Sequence, residues 1–219
     1  MKILALEFSS AKRSVAVAEV AVESDSANCE VMEEGGRETK AFAMIERALS
    51  QAKIEREQIE CVAVGLGPGS YNGIRVAIAI AQGWQLATEV KVVGISSVEC
   101  LAEEAQAKGI RGRAHVVVDA QRHEIYWATY ELTNQECRSL QPLRLATPET
   151  VREDFTQGDL ILGPEVKKWF AEGRVLHPRG ARLAMMAGKS SSFIAAEKLE
   201  PIYLRETTFI KAPKSRIVL

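Results

Sequence analysis

Histidine is scarce in this chain: there are three, His115, His123 and His177, and none in the first 114 residues. No two have the close spacing of a helical metal motif, so neither a metal site nor histidine-based catalysis is expected. Four cysteines, Cys29, Cys61, Cys100 and Cys137, stand far apart with no C-x-x-C pair. That removes a zinc ribbon and a dithiol redox motif, and the cysteines read as buried small hydrophobes. A surplus of one charge is also lacking, since 28 Lys+Arg stand against 29 Asp+Glu for a net charge of -1. The molecule as a whole therefore has no attraction for nucleic acid, and any RNA contact must be local or made by a partner. No uninterrupted apolar run of about 18 residues occurs, which argues against a membrane span. The opening "MKILALEF" has no long signal-peptide apolar region, and together with the unpaired cysteines it points to a reducing cytoplasm.

What is present is a globular composition, 47% apolar and 26% charged. The first 22 residues read as a hairpin, "KILALEF" and "SVAVAEVAV", with "CEVMEE" as a third strand stopped by Gly35-Gly36. Phe42, Ile45, Leu49 and Ala52 recur at helical spacing from Thr39 to Lys53. "CVAVG" is a buried strand, Gly73 to Ala87 a helix and "KVVGI" another strand, after which Ser96 and Glu99 form a capping-box pattern for a helix that Gly109 can close. Near Arg113 the theme restarts. "RAHVVVDA" and "EIYWATYEL" form a second hairpin, Thr147-Pro148 opens a helix, and "LILGP" and "VKKWFAEG" continue the alternation towards a last helix from Ala181 to Leu199 and a locally basic tail. The repeated order implies an α/β protein of two related lobes, residues 1–110 and 111–219, with the last helix and tail packing back on the first lobe.

The stretch "CVAVGLGPGSYNGIRVAIAIAQGWQLA" invites a catalytic reading, because a strand, a glycine turn and a helix N-terminus make an anion site. The spacing does not support it. Gly73 is followed by Ile74-Arg75 where a Walker loop needs Lys and Ser or Thr, and Asn72 stands where G-x-G-x-x-G needs glycine. Ser70 lacks the flanking glycines of a nucleophile elbow. Gly67, Pro68 and Gly69 then make a tight turn, with Ser70 or Asn72 capping the helix. Ile74, Val76, Ala77, Ile78, Ile80, Ala81, Trp84 and Leu86 cover the whole circumference of that helix, and Gly73, Ala77 and Ala81 form a stripe of small residues open to close approach by another helix. Either the chain covers this helix itself or another molecule does.

Glu7 and Asp119 end matching strands of the two units and could flank a magnesium–nucleotide cleft. The plainer reading has each capping a turn or meeting Lys12 or Arg122. His115 at a strand start and His123 in a turn read as surface residues.

"KILALEFSS", "GLGPGSYNGIRVAIAIAQG", "VVGISSVECLA", "VVVDAQRHEIYWATY" and "PIYLRE" resemble, in that order, the bacterial TsaB (YeaZ) family. The resemblance implies the actin, Hsp70 and sugar-kinase (ASKHA) fold. It also implies a non-catalytic role beside the catalytic TsaD and the ATPase TsaE in forming N6-threonylcarbamoyladenosine on tRNA, the tRNA being met only through the complex. Carried over residue by residue, the implied partner interface comprises Phe42, Ile45, Leu49, Gly73, Ile74, Ala77, Ile78, Ala81 and Trp84, and the same surface is expected to pair two copies when the chain is alone. A residual anion or nucleotide site would involve Glu7, Ser70, Arg75 and Asp119. No metal, cofactor or membrane is implied. Glu7-Phe8-Ser9-Ser10 departs from the family's strand ending in Asp and lacks the glycine of a first phosphate loop, so ATP hydrolysis is not expected. The rival of another class is an active phosphotransferase of the same fold; a protease is disfavoured by the missing histidines and elbow.

Overall fold

The computed structural model describes residues 1–20, 29–35 and 39–205. The strand end at Ala21-Val22, the Gly36 half of the glycine turn and the tail cations Lys211, Lys214 and Arg216 lie outside them. The first sheet has the order β3-β2-β1-β4-β5, from β1 (Lys2–Glu7), β2 (Lys12–Glu19), β3 (Cys29–Glu34), β4 (Cys61–Gly65) and β5 (Lys91–Ile95). The second has the order β10-β9-β6-β7-β8, from β6 (Gly112–Asp119), β7 (Ile125–Leu132), β8 (Cys137–Ala146), β9 (Leu160–Gly163) and β10 (Arg174–Val175). In each sheet a three-strand antiparallel meander is extended by parallel strands on its first member, β4 on β1 and β9 on β6. The two sheets therefore share one topology, and the fold is a two-lobed α/β fold of the ASKHA type.

Strands β1, β2 and β4 of the first sheet are buried on both faces, and their side-chain alternation decides which helices they meet. Leu4, Leu6, Val15 and Val17 pack towards α1 (Ala41–Ala52) and α2 (Tyr71–Thr88). Ile3, Ala5, Ala16 and Ala18 face the opposite way, towards α5 (Gly180–Lys189). Alanines on that side let α5 come close; a Cβ on Gly180 would strike Ser14 and Ala16. Helix α3 (Ser97–Ala107) comes from the first half of the chain yet packs Val98, Leu101, Ala102 and Ala105 on the second sheet. Helices α3 and α5 thus form the layer between the sheets. The outer face of the second sheet is closed by Val151 of α4 (Pro148–Asp154) and by Val166 and Phe170.

Several elements differ from the sequence reading. Helix α2 starts at Tyr71 because Ser70 is its N-cap, accepting from the Gly73 N–H at 3.4 Å. The last helix ends at Lys189, where Ser190-Ser191-Ser192 offers the backbone competing partners, and Ile194 N–H instead donates to Val92 O at 2.9 Å. "VKKWFAEG" contains only a single 3-10 turn, Val166–Lys168. Strand β8 carries Arg138, Gln141, Pro142 and Arg144, a polar edge-strand composition without the apolar alternation that reveals a half-buried strand. Cys61 and Cys100 are buried, whereas Cys29 and Cys137 are only half-buried. His115 is a buried residue and not a surface one. Trp127 Nε1 donates to its Nδ1 at 3.1 Å, and its Nε2 lies 3.1 Å from Asp159, so both ring nitrogens have partners.

Candidate partner interface and interlobe cleft

The glycine turn after β4 is built to touch its own chain. Gly67 and Gly69 have φ of 84° and 150°, and a Cβ on Gly69 would collide with Ser9 O. Leu66 N–H donates to Ile95 O at 2.8 Å, Gly67 N–H to Ser97 Oγ at 3.1 Å, and Ser70 N–H to Ser9 O at 2.7 Å. With the Gly73 N–H on Ser70 Oγ, four backbone donors of the turn and helix start already have acceptors within the chain. The space beside the first turn of α2 is filled by the buried Arg13 guanidinium, which donates to Phe8 O and, at 3.1 Å, to Ser70 Oγ. Burial pulls the Arg13 pKa down, against the opposing pull of Glu7.

Glu7 is 0% exposed. Its carboxylate accepts from Ser9 N–H at 2.8 Å and Ser97 Oγ at 2.8 Å, tying the end of β1 to the first turn of α3. Burial pushes this carboxyl up, opposed by the hydrogen bonds of Ser9 and Ser97 and by the charge of Arg13. Asp119 instead lines a cleft of about 420 Å³ between the lobes, together with Ser9, Ser10, Ser70, Gln121 and Glu165. It accepts from Gln121 N–H at 2.9 Å and pairs with Lys168 at 2.6 Å, where the sequence suggested Lys12 or Arg122. The two strand-end carboxylates are therefore not brought together as a pair of magnesium ligands: one lines the cleft and the other is sealed away from solvent. Glu165 is pushed up by burial and by Asp119, and its Oε2 has no partner. Ser70 belongs to the cleft, while Arg75 sits on the exposed side of α2 with its guanidinium 4.1 Å from the Tyr71 ring centre. Among the described residues no cluster of His, Cys, Asp and Glu could hold a metal ion, and no helix is long and apolar enough to cross a membrane.

The second feature lies on the opposite side of the first lobe. Helix α1 rides on β2 and β3 while α2 rides on β4, and between them runs an apolar groove of about 440 Å³. Phe42, Val76, Ala79, Gly83, Trp84 and Ala87 line it, Phe42 being 71% exposed. Leu86 at the end of α2 is 88% exposed. Of the residues expected at a partner surface, Phe42, Ile45 and Trp84 line the groove. Leu49, Gly73, Ile74, Ala77, Ile78 and Ala81 are instead buried in the chain's own core, so the stripe expected to receive another helix receives its own sheet. Ala79, Gly83 and Ala87 form a second small-residue stripe, four residues apart, beside Val76. Ile74 and Ile78 settle which stripe turns inward, because they flank the first one and add large buried side chains to it.

A sequence model of the family described as "TsaD: tRNA N6-adenosine threonylcarbamoyltransferase" matches residues 38–197. The chain is 29% identical over 183 residues to "tRNA threonylcarbamoyladenosine biosynthesis protein TsaB" of Escherichia coli (strain K12), covering 76% of this chain and 79% of that protein. It is 25% identical over 201 residues to the protein of the same name from Haemophilus influenzae, covering 80% and 82%. The solved structure of YeaZ from Pseudomonas aeruginosa superposes with a TM-score of 0.79 at 24% identity, covering 93% of this chain and 99% of that one.

Proposed function

Because the chain belongs to the TsaD family and stands among its TsaB/YeaZ members, we propose that it serves tRNA threonylcarbamoyladenosine biosynthesis as a non-catalytic subunit docking TsaD in the groove between α1 and α2. The observation that carries this reading is the groove itself, an apolar surface left exposed between α1 and α2. TsaE joins the same assembly, tRNA is met through the complex, and the chain alone pairs with a second copy through the same groove. It works in the cytoplasm with no metal or cofactor of its own, and the boundary near residue 110 separates the partner-binding lobe from the second. The non-catalytic assignment is supported by the occupied donors of the glycine turn, by Arg13 beside them and by the burial of Glu7.

Gly83→Arg tests the docking surface cleanly, since a side chain there meets open space within its own chain. Mixed with purified TsaD and measured by mass photometry, the native chain is expected to form a complex, and the variant to lose at least about 100-fold in affinity, about 2.7 kcal/mol. Equal assembly by both chains would exclude this groove. Calorimetric titration with Mg-ATP addresses the phosphotransferase rival: no saturable heat is expected, whereas saturable binding abolished by Asp119→Asn would favour it.

A further inference from the structure

The segment Ile202–Arg205 crosses from one lobe to the other and is fastened to both. On the first lobe, Ile202 N–H donates to Leu66 O at 2.9 Å. Tyr203 stacks on Tyr71 with ring centres 5.5 Å apart and planes 24° apart. On the second lobe, Arg205 Nη2 reaches Ala120 O at 3.0 Å, Gln121 O at 3.2 Å and the carboxylate of Glu124.

The second anchorage falls on an unusual piece of backbone. Gln121, Arg122 and His123 have consecutive φ values of 63°, 54° and 61°, a left-handed turn without glycine. Such a turn persists only where its surroundings over-determine it. Within the turn, Glu124 N–H donates to Gln121 O at 3.1 Å and Ala120 N–H to Glu124 O at 3.0 Å. Arg205 adds a cation to two of its carbonyls and to its one carboxylate from outside. Tyr71, Ala120 and Gln121, all held by this segment, also line the interlobe cleft.

We infer that Ile202–Arg205 is a strap that sets the closure of the two lobes, with Arg205 as its fastening on the left-handed turn and the Tyr71–Tyr203 stack as its fastening on α2. A strap couples its two ends; a local cap on the turn does not. Residue-resolved hydrogen exchange of the full chain distinguishes them. Arg205→Ala is expected to speed exchange of the Ile202 amide, on the opposite lobe, by about tenfold along with those of Ala120 and Glu124, and Tyr203→Leu is expected to do the same to Ala120 and Glu124. If each variant loosens only its own end, the strap is overturned and Arg205 is a cap. Should Arg205→Ala fail to fold, Arg205→Lys, which keeps the charge but not the planar fork of donors, and Tyr203→Leu give the same two-ended readout. The inference stands apart from the docking groove, and neither variant touches the residues that line it.

Discussion

Helix α2 carries two stripes of small residues on different sides, and comparing them separates what the fold requires from what the surface offers. Gly73, Ala77 and Ala81 are pressed into the sheet, where Gly73 lies so near Phe8 O and Arg13 that no Cβ fits. Val76, Ala79, Gly83 and Ala87 line the groove towards α1, and nothing in the chain crowds Gly83. A small residue on the first side is explained by close approach within the chain. On the second side the fold asks for no small residue, and this is the face assigned above to the proposed partner.

The comparison can be broken in order of expected effect. Ala77→Glu places an unpaired carboxylate in the core and should cost at least about 3–5 kcal/mol, read as loss of a cooperative thermal transition or of soluble protein. Gly73→Ala is expected to cost about 1–3 kcal/mol in a denaturant titration, because overpacking forces Phe8 and Arg13 to move. On the other stripe, Gly83→Arg should leave Tm within the range of ordinary surface substitutions, about 0.5 kcal/mol, while abolishing assembly with TsaD. Equal destabilisation by Ala77→Glu and Gly83→Arg would erase the distinction between the faces.

A subtler test concerns the buried end of β1. Burial holds Glu7 above its ordinary value of 4.5, so the folded chain binds that proton more tightly than the unfolded chain. Its contribution to stability is complete below the unfolded pKa and is lost as pH rises through the folded one. Glu7→Gln does not titrate. The variant's stability relative to the native chain should therefore improve as pH rises above the ordinary carboxylate range, by about 1.4 kcal/mol for every tenfold by which folding tightens proton binding, as followed by melts at increasing pH. A flat difference would mean that the hydrogen bonds of Ser9 and Ser97 and the charge of Arg13 offset the burial. The smallest effect belongs to Phe42→Ala, about 1 kcal/mol in TsaD affinity with little change in stability, since that ring is already mostly in solvent.

The sequence made most of this fold readable because its periodicities are local. "CVAVG", "KVVGI" and the Ser96 cap declare themselves within a few residues, and the repeated hairpins announced two lobes. Features fixed by distant partners were harder to see. Which stripe of α2 turns inward depends on the sheet beneath it, and both stripes look alike in one dimension. Glu7 reads as a turn cap or a partner of Lys12 or Arg122, because nothing nearby in sequence reveals Ser97 as its partner. His115 seemed exposed because the groups that satisfy it, Trp127 and Asp159, lie 12 and 44 residues away. Strand β8, polar and broken by Pro142, is a strand chiefly because β7 offers it a free edge.

The interleaving of α3 and α5 has a consequence for how the molecule comes into being. Each half of the polypeptide lends the other the helix that seals its inner sheet face, so a ribosome that has finished the first sheet still holds Ala5, Ala16 and Ala63 bare until α5 emerges. Fragments severed between α3 and β6 are each left with an uncovered apolar surface. They should be insoluble apart and rescue one another when made together, a pair of lobes by shape but a single unit in folding.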